Sequence, residues 1–542
     1  MPSLFCNPSA RELLLPICPE HTSVQASRWD ARIFDPKPGD KGRVAQIRIE
    51  EEHAKCCDQS TMMGRHEKQQ EMWAEPVQLG RLIPADAPLR GINRVLRLDF
   101  VREEVARFYG RNGNESVDPV IVVKLMLLLF LDNVASEREL MRVTAMRLDY
   151  RWFLGYDLTD AVPHHSVLSK ARAKWGGELF QRLFERVVTQ CVEAGLVDAG
   201  KIHLDSSLID ADTALKTVRK FSSEEIAAAC AKTAQRLEEP AAEPPKENLR
   251  STTDPDAAVI KHGHKPARPR YKTHRAVEDK TGVITAVETT PGGVHDGSRM
   301  TPLMEQHEKT TGQGAATVIA DSKYGTADNF AAGQRQGLQT HMADTALLLE
   351  QARNRHPETV RLFAEKDFSY DEETDTYLCP AGERLRRRTR PEGETIRKYA
   401  GRKSICGPCP LRAQCMTGQT GRIVNRHEHQ PLVDVGREQS RSPQAKADRK
   451  RRQYWMEGSF ADAANNHGLK RARWRGLWRQ AIQDLLIATC QNLRKLGKAL
   501  WQLFCRCLRL SSPLEALRRA TSLFLQLLPV FRPSQTANFI CS

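Results

Sequence analysis

The sequence predicts an α/β protein: a mixed sheet with flanking helices, preceded by an all-helical segment and interrupted by a cysteine-bearing insertion. Three observations carry this. Apolar residues recur at helical spacing from about 95 to 198. After Gly195 the period changes to short β-type runs alternating with helical ones. From 346 to 436 the chain turns polar and arginine-rich and holds four spaced cysteines. At roughly 150 residues per domain, a chain of 542 residues is expected to form three or four domains.

Residues 1–62 show little periodicity and several prolines, and are expected to be a poorly ordered extension. Met62 and Met63 stand where a shorter product could start. Residues 63–198 form the helical segment. Its first strong helix spans 117–131, with Asp118-Pro119 as the start signal because proline suits the first turn. A second helix follows over 136–148, a third begins near Ser166, and a fourth over 179–191 buries Leu179, Leu183, Phe184, Val187 and Val188. Basic outer faces suit a DNA-docking module, and a plain packing domain fits the pattern equally.

The α/β part is expected over 199–345. Residues 201–208 read as a strand. Residues 270–277 and 283–289 flank Asp279-Lys-Thr-Gly282, a hairpin turn. The continuous apolar run 317–320 is the kind found in a buried strand. Between the first two strands lie an alanine-rich helix (223–237) and an exposed Glu/Pro linker (238–248). The insertion occupies 346–436, the second part of the α/β domain 437–500, with helices from 448, and a helical tail 501–542.

Composition narrows the function. Lys and Arg number 82 against 67 acids, a net charge of +15 that points to a polyanionic partner. Residues 384–403 hold nine Lys/Arg against two Glu, and 437–479 hold twelve against four acids; these two windows equal the whole net charge. The longest apolar runs, 120–131 and 523–531, fall short of the ~20 residues a membrane span needs. No signal-peptide pattern opens the chain, so a cytoplasmic protein is expected. Ten of the 14 cysteines are scattered, as expected of reduced thiols.

Two carboxylates stand on expected strands, one inside the first and one closing the fourth. Asp205 lies in Ile202-His-Leu-Asp-Ser-Ser-Leu208, and Asp321 closes Val318-Ile-Ala-Asp321. Singly, each is more often a turn or cap residue. On adjacent strands at the sheet's carboxyl edge, two like charges need a cation between them, and oxygen-only ligands select a hard ion such as Mg²⁺. Glu457, on a helix preceded by the basic run 449–452, is the candidate third carboxylate; a surface Glu paired with an Arg is the plainer reading. Downstream, Lys470, Arg471, Arg473, Arg475 and Arg479 alternate with Trp474 and Trp478. Arginines contact phosphates while a ring stacks on an unpaired base. Trp478 is read as core, and Trp474 is open between stacking and packing. Arg270 and Lys272, on the second strand, could line the same groove. Cys379, Cys406, Cys409 and Cys415 could hold one structural Zn²⁺. Only Cys406-x2-Cys409 has the usual spacing, so a metal-free set is equally open.

The chain resembles bacterial insertion-sequence transposases of the DDE type, most similar to the group numbered eleven-eighty-two, which is related to the IS-four and IS-five types. The segments that carry the resemblance are 116–131, Arg151-Trp-Phe-Leu-Gly155, Val162-Pro-His-His-Ser166, His203-Leu-Asp205, Ala320-Asp-Ser-Lys-Tyr-Gly325 and His467-Gly-Leu-Lys-Arg-Ala-Arg-Trp-Arg-Gly-Leu477, in the family's order from about 63 to 500. It implies an RNase H-like core with Asp205, Asp321 and Glu457 as the catalytic triad on two Mg²⁺ (or Mn²⁺) ions. Arg449 and Arg452, with Arg270, Lys272, Lys470, Arg471, Arg473, Trp474 and Arg475, would bind DNA. The family implies double-stranded DNA as partner (terminal inverted repeats and target), a homodimer in the synaptic complex, and a cytoplasmic, nucleoid-associated setting. Water would first free a 3′-OH at each element end, and that hydroxyl would then attack target DNA. Where relatives often carry a lysine two turns after the glutamate, this chain has Ala464. A decayed DNA-binding relative and an RNase H-fold nuclease that only nicks are the alternatives.

Overall fold

A computed structural model describes residues 78–109, 116–228, 231, 248–355, 362–388 and 394–509. The expected extension 1–62, most of the linker and the tail beyond 509 lie outside the described residues. The larger sheet consists of β1 (Lys201–Asp210), β2 (Val218–Phe221), β3 (Asn248–Ser251), β4 (Ala258–His262), β5 (Lys265–Glu278), β6 (Ile284–Pro291), β7 (Thr317–Ala320) and β8 (Gln339–Met342). Their order is β2-β3-β4-β5-β1-β7-β8, with β6 beside β5. β1 runs antiparallel to β5 and parallel to β7, and β7 is parallel to β8, so the sheet is mixed as expected.

Alternation along β1 explains its central place. Ile202 and Leu204 enter an apolar core on one face, while His203, Asp205 and Ser207 point to the other. The β5–β6 hairpin forms at the predicted turn. Gly282 takes a positive φ of 73° there, which glycine adopts at little cost. A second device closes the turn. The carboxylate of Glu278, a residue 0% exposed, accepts the backbone N–H groups of Lys280 (2.7 Å), Thr281 (2.6 Å) and Val283 (3.0 Å).

The helical segment contains α1 (Leu79–Leu82), α2 (Pro88–Val95), α3 (Phe100–Val105), α4 (Pro119–Leu131), α5 (Glu137–Met146), α6 (Leu148–Leu154), α7 (Ser166–Trp175) and α8 (Glu178–Glu193). The side chain of Asp118 caps α4 by accepting the Val120 N–H at 2.9 Å, with Pro119 in the first turn. Apart from Lys124, α4 is apolar on every side, and from Val122 to Leu131 every residue but Lys124 is buried. The helix expected over 136–148 divides at Arg147, whose backbone is extended (φ −94°, ψ 119°).

Later helices follow, and several of them pack on the larger sheet. They are α9 (Met300–Thr311), α10 (Ala327–Arg335), α11 (Thr345–Arg355), α12 (Lys403–Cys406), α13 (Arg412–Cys415), α14 (Gln430–Arg441), α15 (Pro443–His467) and α16 (Leu477–Arg509). Met300 and Leu303 of α9, Phe330 and Ala331 of α10 and Val433 of α14 close the face bearing Leu204, Ala276 and Val318. α16 packs with the early helices and with Val277, Ile284 and Val287 in one continuous core. The early helices therefore share their apolar interior with the sheet. Within the segment expected as an insertion, β9 (Ser369–Asp371), β10 (Thr376–Leu378), β11 (Arg384–Arg387), β12 (Ile396–Ala400) and β13 (Ile423–His427) form an antiparallel sheet. Its small core is Phe368, Tyr377, Leu385, Tyr399 and Val424.

The outer edge of β6 is satisfied by side chains rather than by another strand. Asn492 of α16 accepts the Ile284 N–H (2.9 Å) and donates to the Ile284 carbonyl (2.8 Å). Gln306 of α9 accepts the Val287 N–H at 2.9 Å. Such covering removes a pairing template.

Removing the carboxylate of Glu278 strands the buried N–H of Val283 and releases the N–H groups of Lys280 and Thr281 at once. Glu278→Ala is expected to lower stability by about 3 kcal/mol, read as a lower urea midpoint. A loss below about 0.5 kcal/mol would show that water replaces the carboxylate.

Candidate active site

The parallel pairing of β1 with β7 sets Leu204 opposite Ala320. Asp205, in the middle of β1, and Asp321, just past the end of β7, are each one residue further on, so the two carboxylates are neighbours on adjacent strands. Burial pushes the Asp205 carboxyl above its ordinary value. Arg452 and the Ser206 N–H oppose that rise, and the charge of Asp321 adds to it. Arg452 of α15 donates from Nη1 to Asp205 Oδ2 at 2.6 Å, and the Ser206 N–H reaches Oδ1 at 2.8 Å. Beyond Asp321 the chain turns sharply: the Lys323 N–H meets Asp321 Oδ1 at 3.0 Å and the Tyr324 N–H its carbonyl at 3.2 Å. A Cβ on Gly325 would come within 2.2 Å of the Ala343 carbonyl oxygen, so this turn needs glycine.

Sequence reasoning passed over a third aspartate near this pair. Asp296, 2% exposed, sits just after β6 and receives Lys272 Nζ at 2.8 Å and Lys323 Nζ at 3.2 Å. Burial works against its ionisation, but Lys272 and Lys323 outweigh it and hold the carboxyl below its usual value. Burial pushes His274 down to about 3, so its ring is neutral. Asp321 and Asp205 also act on Lys323, after burial and Asp296, and its pKa is raised. The signals were present as His295-Asp296 straight after a strand and Lys323 two residues past Asp321. Neither had a partner visible in the sequence.

Glu457 is placed differently. It is exposed on α15, and Gln453 Nε2 donates to it at 2.9 Å. Five residues separate it from Arg452, about 140° of helical rotation; Arg452 faces Asp205, so Glu457 faces away. Among the described residues no three His, Cys, Asp or Glu side chains are grouped to hold a metal ion. The structure brings Asp205 and Asp321 together and leaves Glu457 outside.

The basic residues divide in the same way. Arg270 is buried, donating to Asp210 (2.7 Å) and the Ile260 carbonyl (3.3 Å). Lys272 is spent on Asp296 and the Val294 carbonyl (2.7 Å), and Arg449 on the Ser440 carbonyl (2.8 Å). Residues 470–472 join the end of β1: the Asp210 N–H donates to the Lys470 carbonyl (3.0 Å), and the Ala472 N–H to the Asp210 carbonyl (2.9 Å). Lys470 donates to Ser207 Oγ at 2.6 Å. Arg473 is half-buried against Phe130 and donates to Asn133 Oδ1 (2.7 Å). The Trp474 indole N–H donates to Glu137 (3.1 Å), and the Arg172 guanidinium lies 3.8 Å from its ring centre. Trp478 is buried, as expected. Arg471 and Arg475 stay exposed beside Asp212. The four cysteines Cys379, Cys406, Cys409 and Cys415 line one cavity far along the chain, in the smaller sheet's surroundings.

Chemically, the aspartate pair suits a hard divalent cation. Its donors are oxygens only, its two charges repel, and burial already opposes the ionised form of Asp205. In this structure the guanidinium of Arg452 supplies the positive charge. The pair provides two ligands; a third must come from elsewhere.

Two family models match the chain. Residues 77–174 match one described as "Transposase domain (DUF772)". Residues 378–497 match one described as "Transposase DDE domain". The chain thus carries two segments matching transposase domains, the second a DDE domain, and Asp205 and Asp321 lie between them. No curated protein matches it. Among solved structures, one described as the cryo-EM structure of the piggyBac transposase synaptic complex with hairpin DNA is similar at 10% identity. It covers 84% of this chain and 87% of its own, with a TM-score of 0.30, too low to bear on fold or function. Among the described residues no helix is long and apolar enough to cross a membrane.

A carboxyl raised by burial opposes folding only when ionised. The cost is absent below the ordinary carboxylate range and present at neutral pH. Asp205→Asn is expected to raise the urea midpoint at about pH 7 and to lose that gain near pH 3. Equal midpoints for both proteins at pH 7 would mean that Arg452 already compensates.

Proposed function

We propose that this chain is the transposase of a bacterial insertion sequence, binding the element's ends and cutting and joining DNA by phosphoryl transfer. The observation that carries the reading is the side-by-side placement of Asp205 and Asp321 on parallel strands, in a chain with transposase domains on either side of them. The strand order β6-β5-β1-β7-β8, three antiparallel strands followed by two parallel to β1, supports assignment of the core as RNase H-like.

In this reading Asp205 and Asp321 hold Mg²⁺, with Mn²⁺ as a substitute, and Glu457 is the third carboxylate. The ions, when bound, activate the attacking oxygen and stabilise the leaving one. Arg452 neutralises Asp205 beforehand and is then free to meet a DNA phosphate. Lys323, tied to Asp296, holds the loop after Asp321 in place. Arg471 and Arg475 are the exposed cations nearest the end of β1, and they contact the backbone of double-stranded DNA there. For Glu457 to join the pair it must leave Gln453, and α15 must turn about its axis when DNA and metal bind. Two ends are synapsed by a homodimer in the bacterial cytoplasm, at the nucleoid.

The outward position of Glu457 favours a second reading, a relative that binds element ends without cutting them. Incubating the purified chain with Mg²⁺, the element's end DNA and a target plasmid separates the two. Cleavage with joined product is expected, and Asp205→Ala and Asp321→Ala should each lower it on the order of 10³-fold or more. Binding with no cleavage supports the second reading, and cleavage with no joined product identifies a nuclease. Glu457→Gln should lower cleavage as severely as the aspartate changes; wild-type rates in that variant would remove Glu457 from the site.

A further inference from the structure

The cavity beside the smaller sheet is built from cysteines brought in by three separate pieces of chain. Cys379 follows β10, on a turn closed by the Gly382 N–H to the Cys379 carbonyl (2.8 Å) and the Cys379 N–H to the Glu383 carbonyl (2.9 Å). Cys406 ends α12, Cys409 lies three residues on, and Cys415 ends α13. All four are free thiols, and all four line the same cavity of about 40 Å³, with Phe363 and Leu385 among its other walls. That is room for one ion among the four side chains.

The backbone around these thiols is tied down. Arg412 donates to the Cys406 carbonyl (3.3 Å) and, from its N–H, to the Cys409 carbonyl (3.1 Å); Arg422 donates to the Cys415 carbonyl (2.8 Å). Such contacts use the carbonyls and leave the sulfurs directed elsewhere. Four thiolates here would repel one another unless a cation stood between them.

We infer that Cys379, Cys406, Cys409 and Cys415 form a tetrahedral four-thiolate site for one Zn²⁺, structural rather than catalytic. No three of the sulfurs stand at ligating distance among the described residues, so binding draws them inward by side-chain rotation. Each ligating thiol gives its proton to solvent. Four protein ligands close the coordination sphere, leaving no open position for a substrate. The ion ties the two short helices α12 and α13 to the β10–β11 turn, and so steadies the strand bearing Arg384, Arg386 and Arg387. This inference does not depend on the aspartate site.

Metal analysis of the purified, reduced, full-length chain tests it. About one zinc per chain is expected. Cobalt substitution of the same protein should give thiolate-to-metal charge-transfer absorption, a readout independent of any variant. The double change Cys406→Ser with Cys409→Ser should lower the zinc content at least fourfold, whereas Cys191→Ser, at a buried cysteine elsewhere, should leave it unchanged. Less than half an equivalent in the wild-type chain would overturn the assignment. So would iron with acid-labile sulfide in place of zinc, or full zinc content after all four cysteines are replaced by serine.

Discussion

Two aspartates on neighbouring parallel strands repel one another, and much of the surrounding structure answers that repulsion. In a partly buried setting the effect is far stronger than in water. The guanidinium of Arg452 and the Ser206 N–H meet Asp205, while the Lys323 N–H meets Asp321. Lys323 then extends to Asp296, which Lys272 holds from the strand beneath. Charges alternate outward from the pair, so that no carboxylate in this chain of contacts lacks a cation or an N–H donor.

The same face of the sheet carries an unusual burial. Arg275, opposite Asp205 in the β1–β5 register, is fully buried and donates to Gln491 of α16 (2.8 Å) and Ser459 of α15 (3.4 Å). Burial lowers its pKa to about 10, which still leaves it charged at neutral pH. A charge kept in such a place needs polar partners from both helices, and it fixes α15 and α16 against one strand. Asn492 adds the clasp on β6. Polar side chains of α16 thus do at the sheet edge what apolar ones do along the rest of the helix.

Much of the fold was legible because periodicity reports burial. The run 119–131, apolar but for Lys124, the alternation in β1, the hairpin turn and the short strand 317–320 each have a pattern that only one environment satisfies. β8 (Gln-Thr-His-Met) and β2 to β4 do not. They are short and polar, and they become strands only through pairing with neighbours that the sequence does not mark. The aspartate pair was legible as one acid inside an apolar strand and one closing another. Asp296 was not, since its meaning depends on Lys272 and Lys323 arriving from other elements. Residue type misled where cations were concerned: Arg270, Lys272, Arg449 and Arg473 look like phosphate ligands in a basic stretch, yet they bind Asp210, Asp296 and backbone carbonyls or asparagine. Local charge density cannot tell an arginine that faces solvent from one that satisfies the interior.

The join between β1 and the segment after α15 has a consequence in time. Lys470 meets Ser207 across 263 positions of sequence, and Arg452 meets Asp205 across 247. Synthesis proceeds from the N-terminus, and contacts of such separation form last. A chain still on the ribosome with residues up to 440 exposed already possesses both aspartates, but neither the guanidinium that neutralises one of them nor the loop that completes the strand beside it. The contacts that surround the aspartate pair are thus completed only after the segment beyond residue 470 has been made.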